Sequence, residues 1–296
     1  MIDEQKGKEP LVPKDLSIAA RVDNASVYIL KRNPELATIP KNDLGEKISD
    51  FLQVIDSFEA FGEESKHHLQ VSSEIAKEIG VIWDFSGPGT YGEPFKEDRY
   101  KQFPWAKRLD RKRLNHTAML ERAIIEAKGE NDPLEPRTLG NIALRKMRLK
   151  DAIREKGPYI FYNGTSYENE VVRDVVLRKG MIIPKEKVIV AAEEVYNTIE
   201  QVTSFKLPDR IGMGGAIALV SSAPHLARII TLINHFKPFP DNTTVHLFPV
   251  PTPEEGKVQY SEMEISGLLT YTFIQGIAKL EPSYRHMLGK QEVVFP

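Results

Sequence analysis

Ala216-Ile217-Ala218-Leu219-Val220 runs into Ser221-Ser222-Ala223-Pro224, then into Leu226 to Phe236, then into Thr244-Val245-His246-Leu247-Phe248-Pro249-Val250. The outer pieces are apolar runs of strand length. The middle piece carries apolar residues at helical spacing. A strand, a tight turn, a helix and a second strand form one crossover unit of a parallel sheet. The same grammar repeats upstream. Lys187 to Ala192 reads as a strand and Val195 to Phe205 as a helix. Before them come a strand over Tyr159 to Tyr162, a turn at Asn163-Gly164-Thr165 and a helix from Glu168 to Lys179 that ends at Gly180. Earlier still, Val81-Ile82-Trp83-Asp84-Phe85 leads into Ser86-Gly87-Pro88-Gly89. Strands apolar on both faces imply a sheet covered by helices on both sides. The expected fold is α/β, a three-layer αβα sandwich with a mainly parallel sheet. Thr244 to Val250 is expected to be its last strand, followed by a helical tail to about Leu280.

The chain before Val81 reads differently. Its first twenty or so residues form a loose lead-in with Pro10 and Pro13, and residues 24–30 fit either a short strand or a helix turn. Helical spacing covers Asp43 to Ile55 and again Glu63 to Ile79, with Gly80 as the stop. Residues 1–80 are therefore expected to be an N-terminal helical extension, and 81–296 the α/β domain with its C-terminal helical tail. Between the first two strands, residues 92–112 read as a long loop, and helices fit Arg113 to Lys128 and residues 139–155.

Composition narrows the function classes. Of 296 residues, 40 are Lys or Arg and 42 are Asp or Glu, a formal charge of −2. A general nucleic-acid binder would be strongly basic, so none is expected. No apolar run approaches the ~20 residues of a membrane span, so no membrane partner is expected. The opening Met1-Ile2-Asp3-Glu4-Gln5-Lys6 lacks the basic-then-apolar order of a secretory signal, and a cytoplasmic location follows as the expectation. The absence of cysteine excludes disulfides, a thiol nucleophile and Cys-ligated metals. The seven histidines show no HExxH spacing, and the adjacent pair His67-His68 falls in a polar stretch, so no metal ligand is assigned.

In an open parallel sheet, ligands bind outside the carboxyl ends of the strands. The turns there expose helix N-terminal N–H groups that suit an anion. Four stretches qualify: Ser86 to Gly89, Asn163 to Ser166, Glu193 to Thr198, and Ser221 to His225. None is a P-loop or a GxGxxG turn. Thr165 and Ser166 fit plain helix caps as well as ligand contacts. His225 and Arg228 are three apart on the first turn of a helix, hence on one face. Arg228 suits a phosphate or carboxylate, and His225 suits proton transfer. Asp84 ends an apolar strand, where a charge is costly unless used or paired. Glu168 opens a helix and so also complements its dipole. Two carboxylates near an anion site would suit Mg²⁺ with substrate phosphates. Lys107 to Arg113 holds five basic residues in seven; it reads first as a solvated face, and as the alternative it reaches the same cleft, since it follows the loop after the first strand.

These residues resemble the DUF218 family, also called YdcF-like or SanA/ElyC-like. The resemblance rests on Tyr159 to Gly164, Glu168 to Val171, Gly180, Val188 to Val190, Asn197-Thr198, and Leu219 to Arg228. It covers roughly Val81 to Val250, most clearly in the second half. The family's turn is usually Ser-Gly-Gly where this chain has Asn163-Gly164-Thr165, and Ala192 stands at its usual acidic position. The resemblance implies a Rossmann-like fold with a cleft at the strand ends. It also implies S-adenosylmethionine or a nucleotide as candidate ligands.

The expected function is binding of a nucleotide-like or phosphorylated small molecule, with turnover left open. The ligand-binding candidates are Asp84, Ser86, Gly87, Asn163, Gly164, Thr165, Asn197, Thr198, Ser221, Ser222 and Arg228. The catalytic candidates are His225 and Glu168. The alternatives are an S-adenosylmethionine or nucleotide binder without catalysis, and an interaction protein that uses the N-terminal helices. The oligomeric state stays open.

Overall fold

The computed structural model describes residues 16–67, 69–86, 104–129, 139–165, 168–170, 172–173, 183–209, 211–274 and 284–293. Gly87, Ser166 and most of the expected helix up to Lys179 lie outside the described residues.

A seven-stranded sheet forms the centre. Its strands are β1 (Ile79–Phe85), β2 (Tyr159–Asn163), β3 (Val188–Val190), β4 (Ala216–Ser222), β5 (Thr244–Val250), β6 (Arg285–Leu288) and β7 (Gln291–Glu292). Their order is β3-β2-β1-β4-β5-β6-β7. All neighbours pair in parallel except β6 with β7. The helices are α1 (Ile18–Arg32), α2 (Lys41–Ser65), α3 (Ser73–Glu78), α4 (Pro104–Ala127), α5 (Leu139–Lys156), α6 (Thr198–Thr203), α7 (Ala223–Phe236) and α8 (Lys257–Leu269).

Strand alternation sends side chains into two cores. Val81, Trp83, Phe85, Ile217 and Leu219 pack with α7, with Val202 of α6 and with Phe58 of α2. Ile82, Ala218 and Val220 pack with Leu109, Leu120 and Ile124 of α4 and with Tyr260 of α8. A third cluster joins α1 and α2 to Ala227 of α7 and to Ile265, Leu268 and Leu269 of α8. The chain is thus an α/β three-layer sandwich, as the strand–helix alternation implied, and its order is Rossmann-like. The connection after β1 covers one face and the connection after β4 covers the other, so these neighbouring strands mark the topological switch point.

Several local expectations are corrected. Residues 24–30 lie inside α1, whose Ser17 caps it by accepting from Ala20 N. The stretch from Glu63 to Ile79 is not one helix: α2 ends at Ser65 and only Ser73–Glu78 is helical again. Gly80 is a strand residue. A Cβ there would collide with the Met213 carbonyl oxygen, so the residue is small because the chain before β4 passes against it. The expected loop over residues 92–112 gives way to α4 from Pro104 onward, where proline suits a first helical turn. Ser221 and Ser222 close β4, and α7 starts at Ala223 with Pro224 in its first turn. Lys187 precedes β3 in a short 3₁₀ turn, and Ala191 and Ala192 follow that strand. The helix read over Val195 to Phe205 narrows to α6, with Asn197 as its N-cap. Thr244–Val250 is not the last strand. β6 extends the sheet in parallel, and a tight turn through Gly289, at φ 60°, adds β7.

Candidate functional site

At the carboxyl end of β1, Asp84 points to the α4 face. It is buried, and its Oδ2 accepts from Thr117 Oγ1 at 2.9 Å. One turn earlier on α4, Arg113 is buried and donates from Nη1 to the Ser86 carbonyl at 3.3 Å. Both partners come from one helix because Leu109, Arg113, Thr117, Leu120 and Ile124 recur at 3–4-residue spacing on its sheet-facing side.

The end of β4 divides its two serines between the faces. Ser222 shares a hydrogen bond with Tyr260 of α8, 2.9 Å between hydroxyls. Burial drives the Tyr260 phenol well above its ordinary range, and the charges of Glu264, Arg113 and Arg228 all reach it. Arg228 Nε stands 2.9 Å from Glu264 Oε2 in an ion pair that is almost wholly buried. Ser221, on the other face, meets His225 Nδ1 at 3.1 Å, while His225 Nε2 meets Thr198 Oγ1 at 3.1 Å. The imidazole is fully buried, so one ring nitrogen donates and the other accepts along a Thr198–His225–Ser221 chain.

The end of β2 is tied to the end of β1. Asn163 accepts from Trp83 Nε1 at 3.0 Å and donates to the Gln201 carbonyl at 2.8 Å. Gln201 Nε2 in turn donates to the Asn163 carbonyl at 3.0 Å and to Ser86 Oγ. A Cβ on Gly164 would stand 3.0 Å from both Ser86 Cβ and Glu168 Oε2, which explains why the strand exit is glycine. Thr165 and Glu168 form a reciprocal cap. Thr165 N and Oγ1 donate to Glu168 Oε2 at 3.0 and 3.1 Å, and Glu168 N donates back to Thr165 Oγ1 at 3.3 Å. Asn169 holds the Gly164 carbonyl through Nδ2 at 3.1 Å and keeps a buried Oδ1 without a hydrogen-bond partner among the described residues.

The sequence candidates therefore divide. Asp84, Ser86, Ser221, Ser222, His225 and Arg228 gather around the ends of β1 and β4. Thr198 joins them through His225. Asn163, Gly164, Thr165 and Glu168 build the neighbouring β2 exit, with Asn163 committed to Trp83 and Gln201. Asn197 acts on its own helix, accepting from Glu200 N at 2.9 Å as the N-cap of α6. Glu193 and Glu194 are exposed. Gly87 lies outside the described residues. Sequence reasoning missed Thr117, Gln201, Tyr260 and Glu264, and held Arg113 only as one of a basic cluster that could reach the cleft. The basic cluster splits: Arg108 pairs with Glu255 outside, Arg111 and Lys112 are exposed, and Arg113 turns inward. The signal was its place in the Leu109–Leu120–Ile124 spacing.

Among the described residues, no group of three or more His, Asp or Glu is arranged to hold a metal ion, and no helix is long and apolar enough to cross a membrane. Comparison with protein families, curated proteins and solved structures returned no match.

Proposed function

We propose that the crevice between the ends of β1 and β4 binds a small phosphorylated or nucleotide-like molecule, as the resemblance to the DUF218 family implies. The observation that carries this reading is the density of buried charge. Asp84, Arg113, Arg228 and Glu264 are each no more than 5% exposed, and all stand around the two strand ends at the switch point. Each buried ion costs several kcal/mol before its partners repay it. A sheet closes without such groups, so their concentration at the ligand-binding edge argues for recognition.

In this reading the serine hydroxyls and Arg113 meet the polar part of the ligand, and Arg228 and Glu264 set the field around it. His225, held between two hydroxyls, is the residue able to pass a proton at the β4 end. Glu168 braces the β2 exit through its cap.

The test is calorimetric titration of the full chain with S-adenosylmethionine, nucleotides, sugar nucleotides and phosphosugars, each with and without Mg²⁺. Saturable binding of one class, weakened at least tenfold in Ser222→Ala with the melting temperature retained, is the expected result. Product formation after prolonged incubation separates an enzyme from a binder without chemistry. No binding across the panel overturns the reading.

A further inference from the structure

Glu121 lies one turn beyond Thr117 on α4, is completely buried, and offers two carboxyl oxygens with no hydrogen-bond partner among the described residues. The cation whose field reaches it is Lys187, which immediately precedes β3. Lys187 is itself buried. Its amine donates to the Gly157 carbonyl at 2.7 Å and lies over the Tyr159 ring, 4.5 Å from the centroid. A Cβ on Gly157 would stand 3.1 Å from Glu121 Oε1, so the residue whose carbonyl holds the amine also borders the carboxyl group.

We propose that Glu121 and Lys187 form a proton-operated latch between α4 and the amino ends of β2 and β3. With Glu121 protonated, the amine rests on the Gly157 carbonyl. When Glu121 gives its proton to solvent, the amine turns to the carboxylate.

An ionised carboxylate with no donor is expensive in such a place, whereas the neutral acid is tolerated. Burial pushes Glu121 up to about 8, while Lys187 pulls it back. Burial also pushes Lys187 down, and Glu121 and Glu186 oppose that. The surrounding charges are otherwise engaged. Glu186 pairs with Arg154 of α5, which also holds Asp151. Lys128 donates to the Lys156 carbonyl. Arg122 and Glu126 of α4 pair with each other on its exposed side. β2 contributes the Tyr159 ring. Lys187 is thus the partner that an ionised Glu121 would draw among the described residues. Because α4 also carries Arg113 and Thr117, the latch fixes the far part of the helix that walls the crevice.

The test is an NMR titration of the full chain from about pH 5 to about pH 10, following the glutamate carboxyl carbons and the lysine Nζ groups. The Glu121 signal, assigned by its loss in Glu121→Gln, is expected to titrate well above the ordinary carboxylate range. The Lys187 Nζ signal is expected to move at the same midpoint. Lys187→Met should raise the Glu121 midpoint further, because the attraction of the Lys187 charge is gone. Titration of Glu121 in the ordinary range, or a Lys187 signal that does not respond at the Glu121 midpoint, overturns the latch. The wild-type titration decides this even where a variant fails to fold.

Discussion

Arg228 and Glu264 face each other across the α7–α8 contact at 2.9 Å, sealed from solvent. The guanidinium also packs on the α8 backbone, where a Cβ on Gly267 would come within 2.8 Å of Nη1. Removing one member of such a pair strands the other charge. Arg228→Ala should therefore destabilise the fold by about 3–5 kcal/mol, a fall of roughly ten degrees in melting temperature for a chain of this size. Pairing Arg228→Met with Glu264→Gln should recover most of that loss. A differential-scanning melt of the two variants checks this; equal melting temperatures for the single variant and the wild type would refute it. Loss of ligand binding in Arg228→Ala alone would then report the fold as much as the site.

The layout of the sheet was legible because its first five strands lie in apolar runs separated by turn signals. β6 and β7 were not. Arg285-His286-Met287-Leu288 mixes charge with apolar residues and has no β-branched residue, so its pairing with β5 comes from tertiary context. The positions of Asp84, Ser221 and His225 at the strand ends followed from strand–turn–helix order. Their partners did not, because Thr117, Gln201 and Tyr260 lie 33, 115 and 38 residues from the groups they meet, and distance in sequence hides such bonds. Arg113 was hidden by its basic neighbours, though helical phase set it apart from them.

Glu168 offers a separable test of cap against chemistry. Glutamine serves in a capping box, so Glu168→Gln should keep the melting temperature within about 1 °C, whereas Glu168→Ala loses the reciprocal bonds and costs roughly 0.5–2 kcal/mol. Thermal melts compare the two. If the glutamine variant melts as low as the alanine variant, the charge itself is holding the β2 exit, and the capping account fails.

Gly164→Ala tests how tightly the β2 exit is packed. The new methyl group would press on Ser86 Cβ and on Glu168 at 3.0 Å each. Overpacking of this kind costs about 1–3 kcal/mol. It should also disturb the Gln201–Ser86 bond, so ligand affinity at the β1 end should fall with stability. Urea unfolding together with calorimetric binding reads both; an unchanged midpoint would show that the exit has room to spare.

Three of the buried histidines weaken the fold in acid. Burial holds His116, His246 and His286 down at about 4, against an ordinary value of 6.5, and the field of Arg285 adds to this at His246. The unfolded chain therefore binds protons at these sites as pH falls below about 6.5, while the folded chain does not until about 4. Their contribution to stability is fully present above the unfolded value and is lost across that window. Glu121 and Glu262, pushed up by burial to about 8 and about 7, act in the opposite sense, because the folded chain keeps protons that the unfolded chain has released. The whole-protein curve mixes the two, so the informative quantity is a difference. His116, whose Nε2 has no hydrogen-bond partner among the described residues, is the cleanest position to change. Relative to wild type, His116→Leu should gain stability steadily as pH falls from about 6.5 to about 4, by up to roughly 3 kcal/mol. Urea midpoints across that range measure it. A difference that does not change with pH would mean that His116 protonates as readily folded as unfolded.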